Sequence, residues 1–159
     1  MGRIRNIELA KLVAASPIIA SGDRERRPVV LVIEGDRTLG PAVDELCGFL
    51  GFRTEGVGDA LAIGDALRCW APIGVLATAG AIDCPIYDLL MAVAGFDSEL
   101  PILLVTDDGA MIRGAVHSAK RLWQLGGLIH LTRGLDTNDV VEFLFHAARR
   151  SGTGRLMSV

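Results

Sequence analysis

The sequence predicts an α/β fold, a doubly wound sheet of five parallel strands with helices on both faces. From Pro28 onward, short runs rich in β-branched residues alternate with longer segments whose apolar residues recur every three or four positions. This alternation is typical of parallel strands joined by crossover helices. Several of the short runs are apolar without interruption, as in strands buried on both faces. At 159 residues, the chain has the length of one domain with a substantial core.

Each strand is predicted from a short run that is bounded by turn residues. The first run is wholly apolar, whereas the second is more polar and is expected near an edge of the sheet. The fourth run, "ILLVT", is the clearest. The predicted strands are residues 29–33, 53–57, 73–77, 102–106 and 128–131.

A helix is predicted after each strand, from apolar residues spaced so that they fall on one side of the helix. Asp59, Asp83 and Asp136 are expected to cap the second, third and fifth helices, and Pro72 closes the second. The expected inward residues are Leu39, Val43, Leu46 and Leu50; Ala60, Ile63, Leu67 and Trp70; Ile86, Leu89, Leu90 and Val93; Ile112, Ala115, Val116, Ala119, Leu122 and Trp123; and Val140, Val141, Leu144 and Ala148.

The chain divides into three parts. Residues 1–27 form an N-terminal extension, helix-compatible over 3–15 and followed by a charged linker. Residues 28–150 form the α/β domain, and residues 151–159 are expected to be a flexible tail. A short helix is marginal alone in water, so the extension is expected to dock on its own domain, pair with a second chain or stay disordered.

Composition excludes several classes of function. The formal net charge of −3 provides no sequence-wide attraction to nucleic acid. Charged residues interrupt every apolar run, so we expect no membrane span. Cys47, Cys69 and Cys84 are odd in number and form no C-x-x-C pair, which argues against disulfides and structural zinc and favours buried thiols in a reducing cytoplasm.

Residues whose side chains could bind a ligand or take part in a reaction cluster where the predicted strands end. In an open parallel sheet, the functional crevice lies beyond the carboxyl ends of the strands. Carboxylates, threonines and an arginine there could hold a divalent cation or a phosphate, or the acids could simply cap helices and be solvated. The four segments concerned are 34–36, 78–80, 106–108 and 132–134.

Four stretches carry a family resemblance: "VVLVIEGDRTL", "APIGVLATAGAIDCP", "LPILLVTDDG" and "GGLIHLTRG". In this order and at these separations, the chain resembles the response-regulator receiver domain across residues 28–150. The resemblance implies a flavodoxin-like sheet with strand order 2-1-3-4-5. It also implies a signalling role that involves a protein partner.

The matched positions depart from the family pattern where phosphorylation chemistry would take place. Of the two adjacent acids that hold magnesium in the family, Glu34 matches the first, Gly35 falls on the second, and Asp36 is one place late. The phospho-accepting aspartate is replaced by Thr78. A threonine hydroxyl is a poor nucleophile unless a base activates it. The resemblance therefore implies a degenerate, non-enzymatic pseudo-receiver without a cofactor, with Mg²⁺ expected only if the domain is active.

At the remaining positions of the family's site, this sequence matches the family's residue type at one and differs at the others. Thr106 retains the hydroxyl, Arg133 replaces the lysine, Gly134 replaces the proline that follows it, and His130 occupies the aromatic switch position. At His130, a pH-responsive group and an ordinary packed histidine are both open interpretations. Four aspartates are conceivable surrogate acceptors, although their spacing does not favour them: Asp36, Asp83, Asp107 and Asp108.

The fourth helix is the predicted partner-binding element. Its basic residues lie at i, i+4, i+7 and i+8 and form an outer stripe suited to an acidic partner, or merely a solvated face: Arg113, His117, Lys120 and Arg121. The resemblance implies output or homodimerisation through helix 4, strand 5 and helix 5, with the N-terminal helix as another candidate. Phe143 and Phe145 in the last helix cannot both point inward.

Three functions follow from these observations. The leading hypothesis is a stand-alone cytoplasmic pseudo-receiver that is not phosphorylated and acts as a protein–protein interaction module. The second is a diverged but phosphorylatable response regulator of a two-component phosphorelay. The third is a flavodoxin-like protein that binds a nucleotide or anion near Thr78 and Arg133, although no G-x-G-x-x-G or P-loop motif follows the first strand.

Overall fold

The computed structural model describes residues 27–34, 41–57, 62–79 and 86–152. These residues form one five-stranded parallel sheet in the order β2-β1-β3-β4-β5, which confirms the predicted fold class and strand order. The strands are β1 Val29–Glu34, β2 Arg53–Val57, β3 Gly74–Ala79, β4 Ile102–Thr106 and β5 Leu128–Leu131. The helices of the described residues are α1 Pro41–Phe49, α2 Ile63–Trp70, α3 Ile86–Phe96, α4 Ala110–Leu122 and α5 Thr137–Ser151.

The sheet separates two apolar layers, because alternate residues of each strand point to opposite faces. One layer lies between the sheet and helices α2, α3 and α4, and includes Leu31, Leu67 and Leu104. The other lies beneath α1 and α5, where Phe143 and Leu144 are fully buried. Asp136 caps α5 in a reciprocal capping box with Asp139, as predicted for the start of the last helix.

Strands β1, β3 and β4 are neighbours in the sheet, and their carboxyl ends are in register. Glu34 pairs with Thr78, and Ala79 pairs with Thr106. Strand β3 runs two residues beyond the end predicted from the sequence, so Thr78 lies within the strand and does not follow it. The candidate site therefore lies on strand β3, which pairs with β1 on one side and β4 on the other.

Two expectations for buried side chains are wrong. Leu122 is 75% exposed rather than inward, because α4 ends there and turns its last residue away from the sheet. Cys69 is exposed on α2, whereas Cys47 is buried. Burial, with a smaller contribution from Asp44, raises the pKa of the Cys47 thiol to about 12, so this cysteine is a core residue rather than a reactive thiol.

Several expectations lie outside the described residues: the N-terminal extension, Leu39, the cap residues Asp59 and Asp83, Ala60, Cys84, and most of the C-terminal tail. Within the described residues, no helix combines the length and the apolar character needed to cross a membrane.

Candidate functional site

Three adjacent strands present polar side chains at their carboxyl ends. Glu34 ends β1 and is exposed, whereas Thr78 near the end of β3 is 5% exposed. Thr106 ends β4 and is completely buried. Three of the residues singled out in the sequence therefore lie at one edge of the sheet, and their match to the family's site stays a prediction.

Thr106 and His130 form a contact that the sequence analysis did not predict. The Thr106 hydroxyl lies 2.7 Å from Nε2 of His130 and 3.1 Å from the backbone carbonyl oxygen of Asp107. Because a carbonyl only accepts, we expect the hydroxyl to donate to Asp107 and His130 Nε2–H to donate to the Thr106 oxygen. This arrangement joins the end of β4 to β5 and predicts the Nε2-protonated tautomer for His130.

The Thr106–His130 hydrogen bond predicts a measurable loss of stability when the hydroxyl is removed. Thr106→Val leaves the Asp107 carbonyl and the His130 ring N–H without this partner in a buried position, so we expect the free energy of unfolding to fall by about 1–2 kcal/mol. Urea denaturation measures this loss. Thr106→Ser keeps the hydroxyl and should retain the Nε2–H tautomer in ¹⁵N NMR spectra; loss of that tautomer in the serine variant would contradict the assignment.

The environment of His130 favours the neutral imidazole. Burial lowers the pKa of His130, and the positive charge of Arg113 on α4 lowers it further. The unfolded chain therefore binds a proton at His130 at a higher pH than the folded chain does. The stability that the fold gains while His130 is neutral is fully present above the pKa of His130 in the unfolded chain, about 6.5. It is lost as the pH falls through the lower pKa of His130 in the folded chain.

The prediction is that part of the acid sensitivity of the fold comes from His130. The free energy of unfolding of the wild type should decrease as the pH falls below about 6.5, and His130→Gln should reduce that decrease because glutamine does not titrate. Urea denaturation over this pH range provides the measurement. His117→Gln, which changes an exposed histidine of α4, should leave the decrease in place; equal effects of the two variants would contradict a specific role of His130.

Arg133 is held by acidic residues at the start of α5. Its guanidinium forms two hydrogen bonds with Asp139, at 2.7 and 2.8 Å, and lies 3.6 Å from Asp136. The hydrogen bond from Arg133 lowers the pKa of Asp139, and the same bond raises the pKa of Arg133. A planar guanidinium matches a carboxylate in this forked geometry. Arg133, the cation predicted for the mouth of the site, is therefore bound by the acidic residues at the start of α5.

The described side chains at the strand ends include few oxygen donors for a divalent cation, and the exposed Asp107 after β4 is one of them. Magnesium and calcium take several oxygen ligands, usually including more than one carboxylate. At β1 and β3 the described side chains offer the Glu34 carboxylate and the Thr78 hydroxyl. The surrogate Asp108 is exposed and pairs with Arg113 at 2.9 Å, and Asp36 and Asp83 lie outside the described residues. Within the described ranges, no group of three or more His, Cys, Asp or Glu side chains has the arrangement of a metal site.

The predicted basic stripe of α4 divides into two pairs. Arg113 forms the ion pair with Asp108, and the Lys120 ammonium donates to the backbone carbonyl of Leu128 at 3.0 Å. The carbonyl of Gly127 accepts from β4, so the Leu128 carbonyl points to the open edge of the sheet, which Lys120 covers. Lys120 is nevertheless exposed, and its membership of an outer docking stripe stays a prediction. Among the described residues, no ion pair engages His117 or Arg121, and both are exposed.

Comparisons with known proteins agree on the fold. No family model matches the sequence, and no curated protein is similar to it. A response regulator protein from Burkholderia multivorans is 20% identical, with 77% of this chain and 95% of that chain covered and a TM-score of 0.57. The non-phosphorylated HemR receiver domain from Leptospira biflexa is 21% identical, with 76% and 94% covered and a TM-score of 0.57. The pseudo-receiver domain of the CikA protein is 17% identical, with 76% and 97% covered and a TM-score of 0.52. The chain has the fold of receiver domains.

Proposed function

We propose that this chain is a pseudo-receiver: a receiver-like domain that accepts no phosphoryl group and acts by binding a protein partner in the cytoplasm. The observation that carries the proposal is the position of Thr78. It lies at the carboxyl end of the central strand β3 and is 5% exposed, and the family resemblance assigns the acceptor position to it.

Phosphoryl transfer needs a nucleophile and a cation that stabilises the transferred group. Both requirements support the proposal. A carboxylate attacks phosphorus directly, whereas a threonine hydroxyl needs a base to remove its proton. The described histidine nearest to this edge, His130, directs its Nε2 to Thr106 instead. Arg133 is occupied by Asp139, so it is not poised to neutralise a phosphoryl group.

A second line of support is the pre-formed contact between the hydroxyl and switch positions. In this chain Thr106 and His130 are joined by a direct hydrogen bond at 2.7 Å. The Thr106 hydroxyl is therefore already engaged by β5. This supports a domain whose conformation is set by folding and partner binding rather than by modification, and one of the similar structures is itself a pseudo-receiver domain.

A magnesium titration followed by amide NMR tests the cation part of the proposal. We expect no saturable shifts at Glu34, Thr78 and Thr106 with Mg²⁺, because the carboxylate set is incomplete. A parallel titration with K⁺ at equal ionic strength controls for salt effects. Saturable shifts with Mg²⁺ confined to these strand ends would contradict the proposal.

The proposed partner surface is the outer face of α4, where His117 and Arg121 are exposed. A positive charge there would speed association with an acidic surface. We expect Arg121→Glu to slow the capture of the partner from the native host by about tenfold. Arg68→Glu reverses an exposed charge on α2 and should leave capture unchanged. Equal capture by wild type and Arg121→Glu would exclude this face.

A further inference from the structure

A groove lies between the free edge of the sheet and helix α5. Strand β5 is the last strand of the sheet, so one of its edges has no neighbouring strand among the described residues. Leu131 packs in the layer beneath α1 and α5, and Ile129, two residues earlier, points to the same face of the sheet. The groove has a volume of about 510 Å³. We call it the β5–α5 groove; its apolar floor includes Leu103, Ile129 and Leu131, and its wall includes Glu142, His146 and Arg149 of α5.

The groove is open because the two faces of the sheet are covered unequally. Within the described residues, helices α2, α3 and α4 cover one face, whereas α1 and α5 cover the other. Ile129 is consequently 42% exposed, although it points to a face of the sheet that carries an apolar layer. An apolar face of a sheet is normally buried against another element. One further helix beside α5, next to β5, would cover the groove.

Residues 3–15 have the pattern and the length of such a helix. They lie outside the described residues, and their sequence is helix-compatible, with Leu9, Leu12 and Val13 on one side at i, i+3 and i+4. A helix over this range is about 20 Å long, and the wall of the groove, which spans about three turns of α5, is about 15 Å long. The segment thus offers three apolar side chains over the length of the groove.

The chain between this segment and β1 is long enough to reach the groove. Strand β5 lies three strands away from β1 in the sheet, a distance of about 15 Å. Residues 16–27 span up to about 40 Å when extended. Strand β1 begins at the amino edge of the sheet, and the last turn of α5 lies at the same edge, where Arg150 pairs with Asp97 in the loop before β4. A helix that leads into this linker ends at the same edge as α5 and therefore lies parallel to it.

The charges of the segment and of the groove match in this direction. Glu142, His146 and Arg149 are exposed, and within the described ranges no ion pair engages them. With the ends of the two parallel helices level, Arg5 lies at nearly the same height as Glu142. Glu8, one turn later, lies toward His146 and Arg149. The acidic end of the groove thus meets a basic residue of the segment, and its basic end meets an acidic one.

We infer that residues 3–15 dock as a helix in the β5–α5 groove of their own chain, parallel to α5 and with Leu9, Leu12 and Val13 on the apolar floor. A short helix is marginal alone in water and gains its stability from burying an apolar side. The linker also holds the segment at an effective concentration in the millimolar range, which favours its own groove over that of another chain. Docked there, the segment covers Ile129 and closes the groove to other partners. The inference is independent of the proposed function, whose partner surface lies on α4.

Methyl-group NMR of the full chain tests the inference. We expect nuclear Overhauser contacts between Ile129 and the methyl groups of Leu9 or Leu12, because docking brings these side chains into van der Waals contact. A sample that mixes isotope-labelled and unlabelled chains separates contacts within one chain from contacts between two. Contacts that arise only between chains would overturn docking within one chain in favour of exchange between two copies. Absence of any contact between Ile129 and the segment would overturn the inference altogether.

A matched pair of substitutions tests which side of the segment docks. Leu12→Glu should lower the ratio of docked to undocked chains by about tenfold or more, because one buried leucine is lost. Ile7→Glu places the same charge about 140° around the helix and should leave the ratio unchanged. The chemical shift of the Ile129 methyl groups reports the ratio, and circular dichroism verifies that both variants fold. An Ile129 shift that Leu12→Glu leaves in place, or that both variants move equally, would overturn the inference.

Discussion

Phe143→Ala is expected to lower the free energy of unfolding by about 3–5 kcal/mol. Phe143 is 1% exposed and is among the largest fully buried side chains of the core. Its ring lies against Gly74 at the start of β3, where the missing side chain leaves it room. Truncation removes the buried ring and leaves a cavity that the paired strands cannot close.

Phe145→Ala is the matched control for this prediction. It makes the same change two residues away on the same helix, at a side chain that is 37% exposed, and we expect a loss of about 1 kcal/mol or less. Urea denaturation with an unchanged m-value compares the two variants. Equal losses would show that α5 does not direct Phe143 into the core.

Gly74→Val is expected to destabilise the domain by about 3 kcal/mol, at the upper end of the usual cost of overpacking. A Cβ atom at Gly74 would lie 2.7 Å from Cζ of Phe143 and 3.4 Å from Cβ of Ala147. The ring is fully buried and cannot swing into solvent. The displaced strand β3 also carries Thr78, so the substitution disturbs the candidate site as well as the core.

A double variant shows whether Gly74 and Phe143 are complementary in size. Gly74→Val with Phe143→Leu should recover a large part of the loss, because the smaller leucine makes space for the new side chain. Gly56→Val places the same residue in β2, where no atom lies within 4 Å of the new Cβ, and it should change stability by about 0.5 kcal/mol or less. Additive losses in the double variant would contradict the packing account.

The fold could be predicted because its pattern is strongly periodic. Strand β4 is buried at every position, and the apolar run "ILLVT" identifies it without any tertiary information. The prediction ended β3 too early: Thr78 is β-branched and favours a strand but Ala79 does not, and pairing with β1 and β4 carries the strand through both residues. Tertiary pairing, rather than local preference, decides such boundaries.

The position of Leu122 shows where helical periodicity stops being informative. Leu122 continues the apolar spacing after Ala119, which predicts that it is buried. Burial also requires a neighbour, and Leu122, at 75% exposed, has little packed against it. A spacing pattern identifies a side of a helix, but it does not establish which element covers that side.

The sequence analysis singled out residues at the strand ends, but it did not predict their hydrogen bonds. Thr106 and His130 were singled out separately, and the signal for their contact was available, since both lie at the carboxyl ends of predicted neighbouring strands. The Arg133–Asp139 pair also had a signal, because Asp136 and Asp139 are spaced as a capping box before an apolar helix. Side-chain conformations decide such bonds, and sequence spacing does not determine them.

The measurement that tests the central claim most directly is the intact mass of the full chain after incubation with a small acyl phosphate and Mg²⁺. Because we propose that Thr78 occupies the acceptor position, and because Arg133 is held by Asp139, we expect the mass to stay unchanged, as it should for Thr78→Ala. A phosphorylatable receiver domain treated in the same way verifies the reagent. A gain of one phosphoryl group, absent after Thr78→Ala or after replacement of a single aspartate, would contradict the pseudo-receiver account.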